Sequence, residues 1–104
     1  MDNCARIEEY VRGYDRLSFE RDRLTREAVE RCLERIREAA FRLGDQEALL
    51  PDQPRNDIRG MGNRLRHAYD RLNLDIAWDI VERDLPKLPR EVHRLLEHRN
   101  TPER

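Results

Sequence analysis

The feature that most constrains the fold is a regular apolar seam within residues 17–45. Its members recur at steps of four and three residues, the spacing of one face of an α-helix, and are Val29, Leu33, Ile36, Ala40 and Leu43. A face of this kind is stable only when other helices cover it. No run of alternating β-branched residues, which would indicate a strand, occurs in the chain. The sequence therefore predicts an all-α fold.

Shorter amphipathic segments accompany the long helix. They lie over residues 4–14, after Pro54 as far as residue 72, over residues 74–85 and over residues 90–98. Together the segments predict an up-and-down bundle of four or five helices. At 104 residues the chain is long enough for one core. We expect residues 1–99 to form a single domain and residues 100–104 a flexible tail.

Local signals predict where the helices begin and end. Ser18 is the expected N-cap of the long helix, and Thr25 is placed to restart or reinforce it. Asn73 should interrupt the chain between the third and fourth helices. Pro86 and Pro89 should break the fourth helix before the terminal one, because proline lacks the backbone N–H.

Charge and apolar content narrow the function classes. The chain has 21 basic and 22 acidic residues, so bulk attraction to nucleic acid is not expected and anion binding needs a local patch. No stretch approaches the roughly 18 apolar residues of a membrane span, and no signal peptide opens the chain. We expect a soluble cytoplasmic protein with no membrane partner.

Cysteine and histidine spacing offers no metal site. Cys4 and Cys32 are far apart and form no CxxC pair, which is typical of free thiols in a reducing compartment. His93 and His98 are five residues apart, so they do not share a helix face and are expected at the surface. We predict neither a metal nor a cofactor.

The segment RGMGNRLRHAYD, residues 59–70, carries the candidate chemistry. Arg59, Asn63 and His67 follow one another at four-residue steps and so form one polar stripe beside the apolar one. Between residues 55 and 71 there are five arginines against two aspartates. A histidine can exchange protons near neutral pH, and guanidinium groups can neutralise charge on a phosphate. These groups suffice for RNA cleavage through the ribose 2′-hydroxyl without a metal. From spacing alone, routine surface hydrogen bonds remain the commoner explanation.

The same segment resembles a known family signature. GMGNRLRHAYD, followed by LDIAWDIVERDLPKL, is similar to the HepT-like toxins of the HEPN superfamily. That pattern runs glycine, methionine, arginine, asparagine, three variable residues, histidine, one variable residue and tyrosine. The matching positions here are Gly60, Met61, Gly62, Asn63, His67 and Tyr69. Trp78, the Asp84-Leu85-Pro86 break and Glu38 in the long helix also match, over roughly residues 6–95.

The resemblance implies an activity, partners and site residues. Similar proteins are all-α homodimers whose catalytic motifs share a cleft at the two-fold interface, and they are metal-independent endoribonuclease toxins. Their antitoxin is a minimal nucleotidyltransferase that transfers AMP onto the motif tyrosine. By position His67 would be the acid/base, Asn63 its orienting or phosphate-contacting neighbour, and Tyr69 the AMP acceptor. AMP on Tyr69 would add bulk and negative charge where RNA phosphate should lie.

This chain departs from the pattern most seriously at Gly62, where the family has its motif arginine. Arg37 also stands in place of a glycine, and Arg55 in place of a frequent tryptophan. Loss of a transition-state cation costs on the order of a hundredfold in rate. The departure at Gly62 predicts a weakened or inactive ribonuclease.

Three explanations of this departure stay open: the chain is a natural degenerate homologue, it is a disabled variant of a toxin, or Arg59, Arg64 or Arg66 has taken over the lost role. Arg59 and Arg66 lie nearer the His67 stripe than Arg64, which makes them candidate RNA-phosphate contacts. Alternatively, the chain is a non-enzymatic helical dimer that binds a nucleotidyltransferase partner and does not cut RNA.

Overall fold

A computed structural model describes residues 3–44, 51–71 and 73–97. The all-α prediction is confirmed, and no strand occurs in these ranges. The helices are α1 (Asn3–Tyr10), α2 (Arg16–Arg21), α3 (Arg23–Gly44), α4 (Asp52–Arg71), α5 (Leu74–Asp79), α6 (Leu85–Lys87) and α7 (Arg90–Glu97), with a π-helical segment at Ile80–Asp84 between α5 and α6. Within the described part of the chain, no helix is long and apolar enough to cross a membrane. The predicted tail, residues 100–104, lies outside the described residues.

Helix α3 is the centre of the bundle and packs against α1, α4 and α7. Its predicted seam is buried at Val29, Leu33, Ile36 and Ala40, while Leu43 is half-buried at the edge. Helix α4 contributes the matching stripe of Ile58, Met61 and Leu65. The last member predicted for that stripe, Leu72, lies outside the described residues. The periodicity of both long helices therefore identified the faces that meet in the core.

The start of the long helix differs from the prediction. Ser18 is not its N-cap: Asp15 caps α2, and Ser18 is the third helical residue of a capping box, with its N–H donating to Asp15 Oδ1 at 2.9 Å and its Oγ accepting from the Asp15 N–H at 3.0 Å. The helix is then interrupted at Asp22, whose Oδ1 accepts from the Thr25 N–H at 3.1 Å. The restart predicted near Thr25 is confirmed, with Asp22 as its capping residue.

The first helix is also shorter than predicted, since α1 ends at Tyr10. Gly13 has φ 81° in the following turn, a left-handed conformation that glycine adopts without steric cost. The turn lets α2 fold back, so that Phe19 is completely buried with its ring centroid 5.0 Å from that of Trp78. This aromatic pair joins the first half of the chain to the second.

The helices of the second half begin and end at polar and proline residues. Helix α4 starts at Asp52, earlier than predicted, because Pro54 lies in its first turn, where no intrahelical N–H bond is needed. Asn73 interrupts the chain as predicted and caps α5, its Oδ1 accepting from the N–H groups of Asp75 at 2.8 Å and Ile76 at 3.1 Å.

Pro86 does not break the fourth helix, contrary to the prediction. A π-helical turn precedes it, in which the Leu85 N–H donates to the Ile80 carbonyl five residues earlier. Pro86 then occupies the first turn of α6, where its missing N–H leaves no bond unmade. Helix α6 ends instead at Lys87, and the next residue, Leu88, has a ψ of 141°, the extended conformation preferred before Pro89.

Two other expectations concern histidine and cysteine. His93 is half-buried, contrary to the surface position predicted, and its Nε2 lies 2.7 Å from the Leu85 carbonyl oxygen, which can only accept. Nε2 therefore carries the hydrogen. His98 lies outside the described residues. Cys4 and Cys32 are both buried and free, and burial raises the pKa of the Cys32 thiol.

Candidate functional site

Helix α4 presents the predicted polar stripe to solvent. Arg59, Asn63 and His67 are exposed on successive turns, because the opposite side of α4 is buried against α3. The Arg66 guanidinium donates to Asn63 Oδ1 across a long 3.4 Å. In the described ranges no hydrogen bond joins Asn63 to His67.

A cleft of about 410 Å³ lies between α3 and α4 beside this stripe. Its polar wall comprises Arg59, Asn63 and Arg66 from α4 and Arg37 from α3. Among the described residues, the wall contains three guanidinium groups and no carboxylate. A concave surface of this charge suits a phosphate or another oxyanion.

His67 is not part of the cleft wall. It lies one helical turn beyond Asn63, exposed at the end of the stripe. The structure therefore brings Arg59, Asn63 and Arg66 into one cleft and places His67 on the adjoining surface of the same helix. A polyanion extending from the cleft along α4 would pass the imidazole.

Gly62 also lines the cleft. A Cβ atom built there would lie 3.6 Å from the Ala40 Cβ, an ordinary van der Waals contact. No steric requirement thus explains the glycine, which costs roughly 1 kcal/mol relative to alanine inside a helix. The position would also accept the Cβ of an arginine.

Arg64 does not replace the missing arginine. Its Nε donates to Asp84 Oδ2 at 2.8 Å and its terminal nitrogen to Asp79 Oδ2 at 2.7 Å. Asp79 is the last residue of α5 and Asp84 the last of the π-helical segment, and the Arg64 guanidinium bound between them lies outside the cleft. Releasing it would break two charge-assisted hydrogen bonds, each worth on the order of 1 kcal/mol at this exposure.

Tyr69 points from α4 toward α3. Its hydroxyl donates to the Glu30 backbone carbonyl at 2.8 Å, and the side chain is half-buried. The Arg37 guanidinium carbon lies 5.2 Å from its ring centroid, within the range of a cation–π contact. Burial first, and then the negative charges of Glu34 and Glu30, raise the pKa of Tyr69 to about 12. The hydroxyl is a bound, neutral donor at physiological pH.

Besides Ala40 of the apolar seam, α3 contributes to the cleft two residues that were not predicted as site residues. Arg37 was noted only as a departure from a family pattern, and Phe41, 75% exposed, follows it by one turn. One sequence signal could have identified them. An aromatic residue and a cation stand four residues apart on α3, outside the apolar seam. In the described residues, no group of three His, Cys, Asp or Glu side chains is arranged to hold a metal ion.

The Tyr69 environment predicts a pH dependence of stability. Because the pKa is about 12 in the folded protein and near 10 when exposed, the unfolded chain loses the proton first as the pH rises. The free energy of unfolding should therefore fall as the pH rises from 10 toward 12. Urea unfolding at about pH 9 and about pH 11, followed by circular dichroism, measures this fall. Tyr69→Phe should show a smaller fall, and an equal fall in both proteins would contradict the assignment.

Comparison with known proteins assigns the family. The family model described as "Ribonuclease HepT-like" matches residues 1–95. "Probable ribonuclease HepT" of Thermococcus cleftensis is 33% identical over 90 residues, covering 86% of this chain and 82% of that protein. "Putative RNase MJ1380" of Methanocaldococcus jannaschii is 30% identical over 93 residues, covering 88% and 85%. No solved structure gives a significant match. The chain belongs to the HepT-like ribonuclease family.

Proposed function

We propose that this protein is the ribonuclease toxin of a toxin–antitoxin pair, with Asn63 and His67 as its catalytic residues. The observation that carries the proposal is the arginine-lined cleft beside an exposed asparagine and histidine on one helix of a HepT-like protein. Two relatives bear the names of ribonucleases, which supports RNA as the substrate. The described wall of the cleft carries three guanidinium groups, which suits the binding of a phosphodiester.

The reaction is an internal displacement at phosphorus. His67 accepts the proton of a ribose 2′-hydroxyl, and the 2′-oxygen forms a bond to the adjacent phosphorus. The bond from phosphorus to the 5′-oxygen breaks, and the leaving oxygen takes a proton from solvent. Asn63 donates its amide N–H to a phosphate oxygen, and the cleft guanidinium groups stabilise the phosphorane. The imidazole and guanidinium groups perform the roles that a metal ion has in other nucleases.

Gly62 weakens this reaction. A glycine supplies neither a donor nor a charge to the phosphorane, so the rate should be on the order of a hundredfold below that of a protein with arginine at this position. Arg64 is bound by Asp79 and Asp84 and does not compensate.

Restoring the arginine tests the assignment. Gly62→Arg should raise the rate of RNA cleavage by about a hundredfold, because it returns a cation to the cleft. The variant should fold at least as stably, since its Cβ meets only Ala40 at 3.6 Å. Single-turnover cleavage of a fluorescent RNA measures the rate, with circular dichroism melting as the check on folding.

His67→Ala is the matched control for this experiment. It should abolish cleavage in both the native and the Gly62→Arg backgrounds, because no base remains for the 2′-hydroxyl. Cleavage that persists without His67 would contradict the assignment. Absence of cleavage in every protein, together with stable binding to a nucleotidyltransferase, would favour the alternative of a non-enzymatic helical dimer.

Tyr69 is the proposed acceptor of AMP from an antitoxin nucleotidyltransferase. The tyrosine oxygen would attack the α-phosphorus of ATP and release pyrophosphate. Because the pKa of Tyr69 is raised to about 12, the antitoxin must provide the base that removes its proton. It must also draw the hydroxyl away from the Glu30 carbonyl. The modified Tyr69 side chain would then extend from α4 away from the Glu30 carbonyl and toward the proposed path of the RNA.

Mass spectrometry tests this modification. Incubation with a cognate minimal nucleotidyltransferase and ATP should add one or more adenylyl units. Tyr69→Phe should add none, whereas Tyr10→Phe, which changes a 40% exposed tyrosine on α1, should be modified like the native protein. Modification of Tyr69→Phe at the native level would show that another residue is the acceptor.

We propose in addition that the protein is a homodimer formed through the cleft side of α3 and α4. Phe41 supports this arrangement, because a phenylalanine 75% exposed at the edge of a functional cleft is a typical contact residue. A second copy packed there would place two Asn63–His67 stripes along a common channel.

Analytical ultracentrifugation tests the dimer. Phe41→Asp should shift the native protein from dimer to monomer, because it places a charge in an apolar contact. Leu24→Asp is the matched control: Leu24 is 81% exposed near the opposite end of α3 and should leave the dimer intact. Equal sedimentation of the native and Phe41→Asp proteins would exclude Phe41 from any interface.

A further inference from the structure

We propose that Arg37 of α3 binds the reacting phosphate and supplies, from the opposite wall, the charge that Gly62 lacks on α4. This inference rests on the proposed ribonuclease function. Arg37 and Gly62 line the same cleft from different helices. A Cβ at position 62 would contact Ala40, which is one turn beyond Arg37 on α3. Arg37 and position 62 thus lie on facing walls of one cleft.

The guanidinium of Arg37 is held in place but is not neutralised. Its carbon lies 5.2 Å from the Tyr69 ring centroid, so the aromatic face orients it. In the described ranges no carboxylate lies within ion-pair distance of Arg37, and no hydrogen bond takes one of its donors. A contact with an aromatic face leaves the planar N–H groups available for two oxygens of a phosphate.

The other cleft arginines are less suited to this role. The Arg66 guanidinium donates to Asn63 Oδ1 at 3.4 Å, so one of its N–H groups is already used within α4. Arg59 lies two helical turns before His67, whereas Tyr69, against which Arg37 rests, is only two residues after it. Among the three, Arg37 alone approaches from the helix opposite His67. A phosphate at the end of the cleft nearest His67 would thus meet a cation from α3 and a base from α4.

The test is a double-mutant cycle on the full chain. Arg37→Ala should lower the single-turnover rate of RNA cleavage by about a hundredfold, and Arg37→Lys should lie between, because lysine keeps the charge but not the planar fork. In the Gly62→Arg background the loss from Arg37→Ala should shrink to about a tenth of that factor, because one cation can replace the other. Arg35→Ala, an exposed arginine on the same helix and outside the cleft, should keep the native rate.

A binding measurement separates this inference from the ribonuclease function. With a single-stranded 2′-O-methyl RNA, which cannot be cleaved, Arg37→Ala should weaken affinity and reduce the slope of log Kd against log salt by about 0.7. This readout decides the role of Arg37 even when cleavage is too slow to detect. Cleavage that does not depend on His67 would contradict the proposed ribonuclease mechanism. The binding result for Arg37→Ala would still show whether Arg37 contacts a phosphate.

Three results would overturn the proposal itself. Arg37→Ala could match Arg35→Ala in both cleavage rate and salt slope, which would show that Arg37 meets no phosphate. The loss from Arg37→Ala could be the same factor with glycine or arginine at position 62, which would show that the two positions do not share a role. Failure of the native protein to bind the 2′-O-methyl RNA would remove both the contact and the function on which it rests.

Discussion

The packing of α3 against α4 is the contact on which the rest of the molecule depends. Ile36 and Leu65 are completely buried in it, and the small side chain of Ala40 allows α4 to approach closely at Gly62. Because these apolar faces meet, the polar edges of the two helices are brought side by side and enclose the cleft. The bond from Tyr69 to the Glu30 carbonyl links the same helices at the edge of the core. The site is thus a consequence of how the core is built rather than an addition to it.

A second contact sets the orientation of α4. Arg64 reaches Asp79 and Asp84 on the π-helical side, where a regular α-helix would space the two carboxylates differently. The Arg64 guanidinium is bound on this side of α4 and does not contribute to the cleft. The positive charge that lines the cleft therefore comes from Arg59 and Arg66 of α4 and from Arg37 of α3. AMP on Tyr69 would bring its own phosphate beside the ring that orients Arg37, so modification and RNA would compete for the same cation.

Sequence pattern predicted the helices better than their ends. The steps of four and three residues identified Val29, Leu33 and Ile36 as core because burial follows helical period. The start of a helix depends on which of several nearby polar residues forms the N-cap. Here Asp15 and Asp22 are the capping residues, and Ser18 is not. Along one helix the motif also predicted Asn63, His67 and Tyr69 as neighbours. Arg37 could not be placed in the site by spacing, since it reaches the cleft from a helix whose register against α4 is set only by tertiary packing.

The central claim is that RNA phosphate binds in the cleft between α3 and α4, and amide chemical-shift mapping tests it most directly. Titrating the isotope-labelled native protein with single-stranded 2′-O-methyl RNA needs no turnover, so the weakening by Gly62 does not obscure the result. The account predicts the largest shifts at residues 37–41 and 59–67, together with a change in the Arg37 side-chain Nε signal. Shifts concentrated instead around Arg90 and Arg94, which line a separate groove with α1, would contradict it.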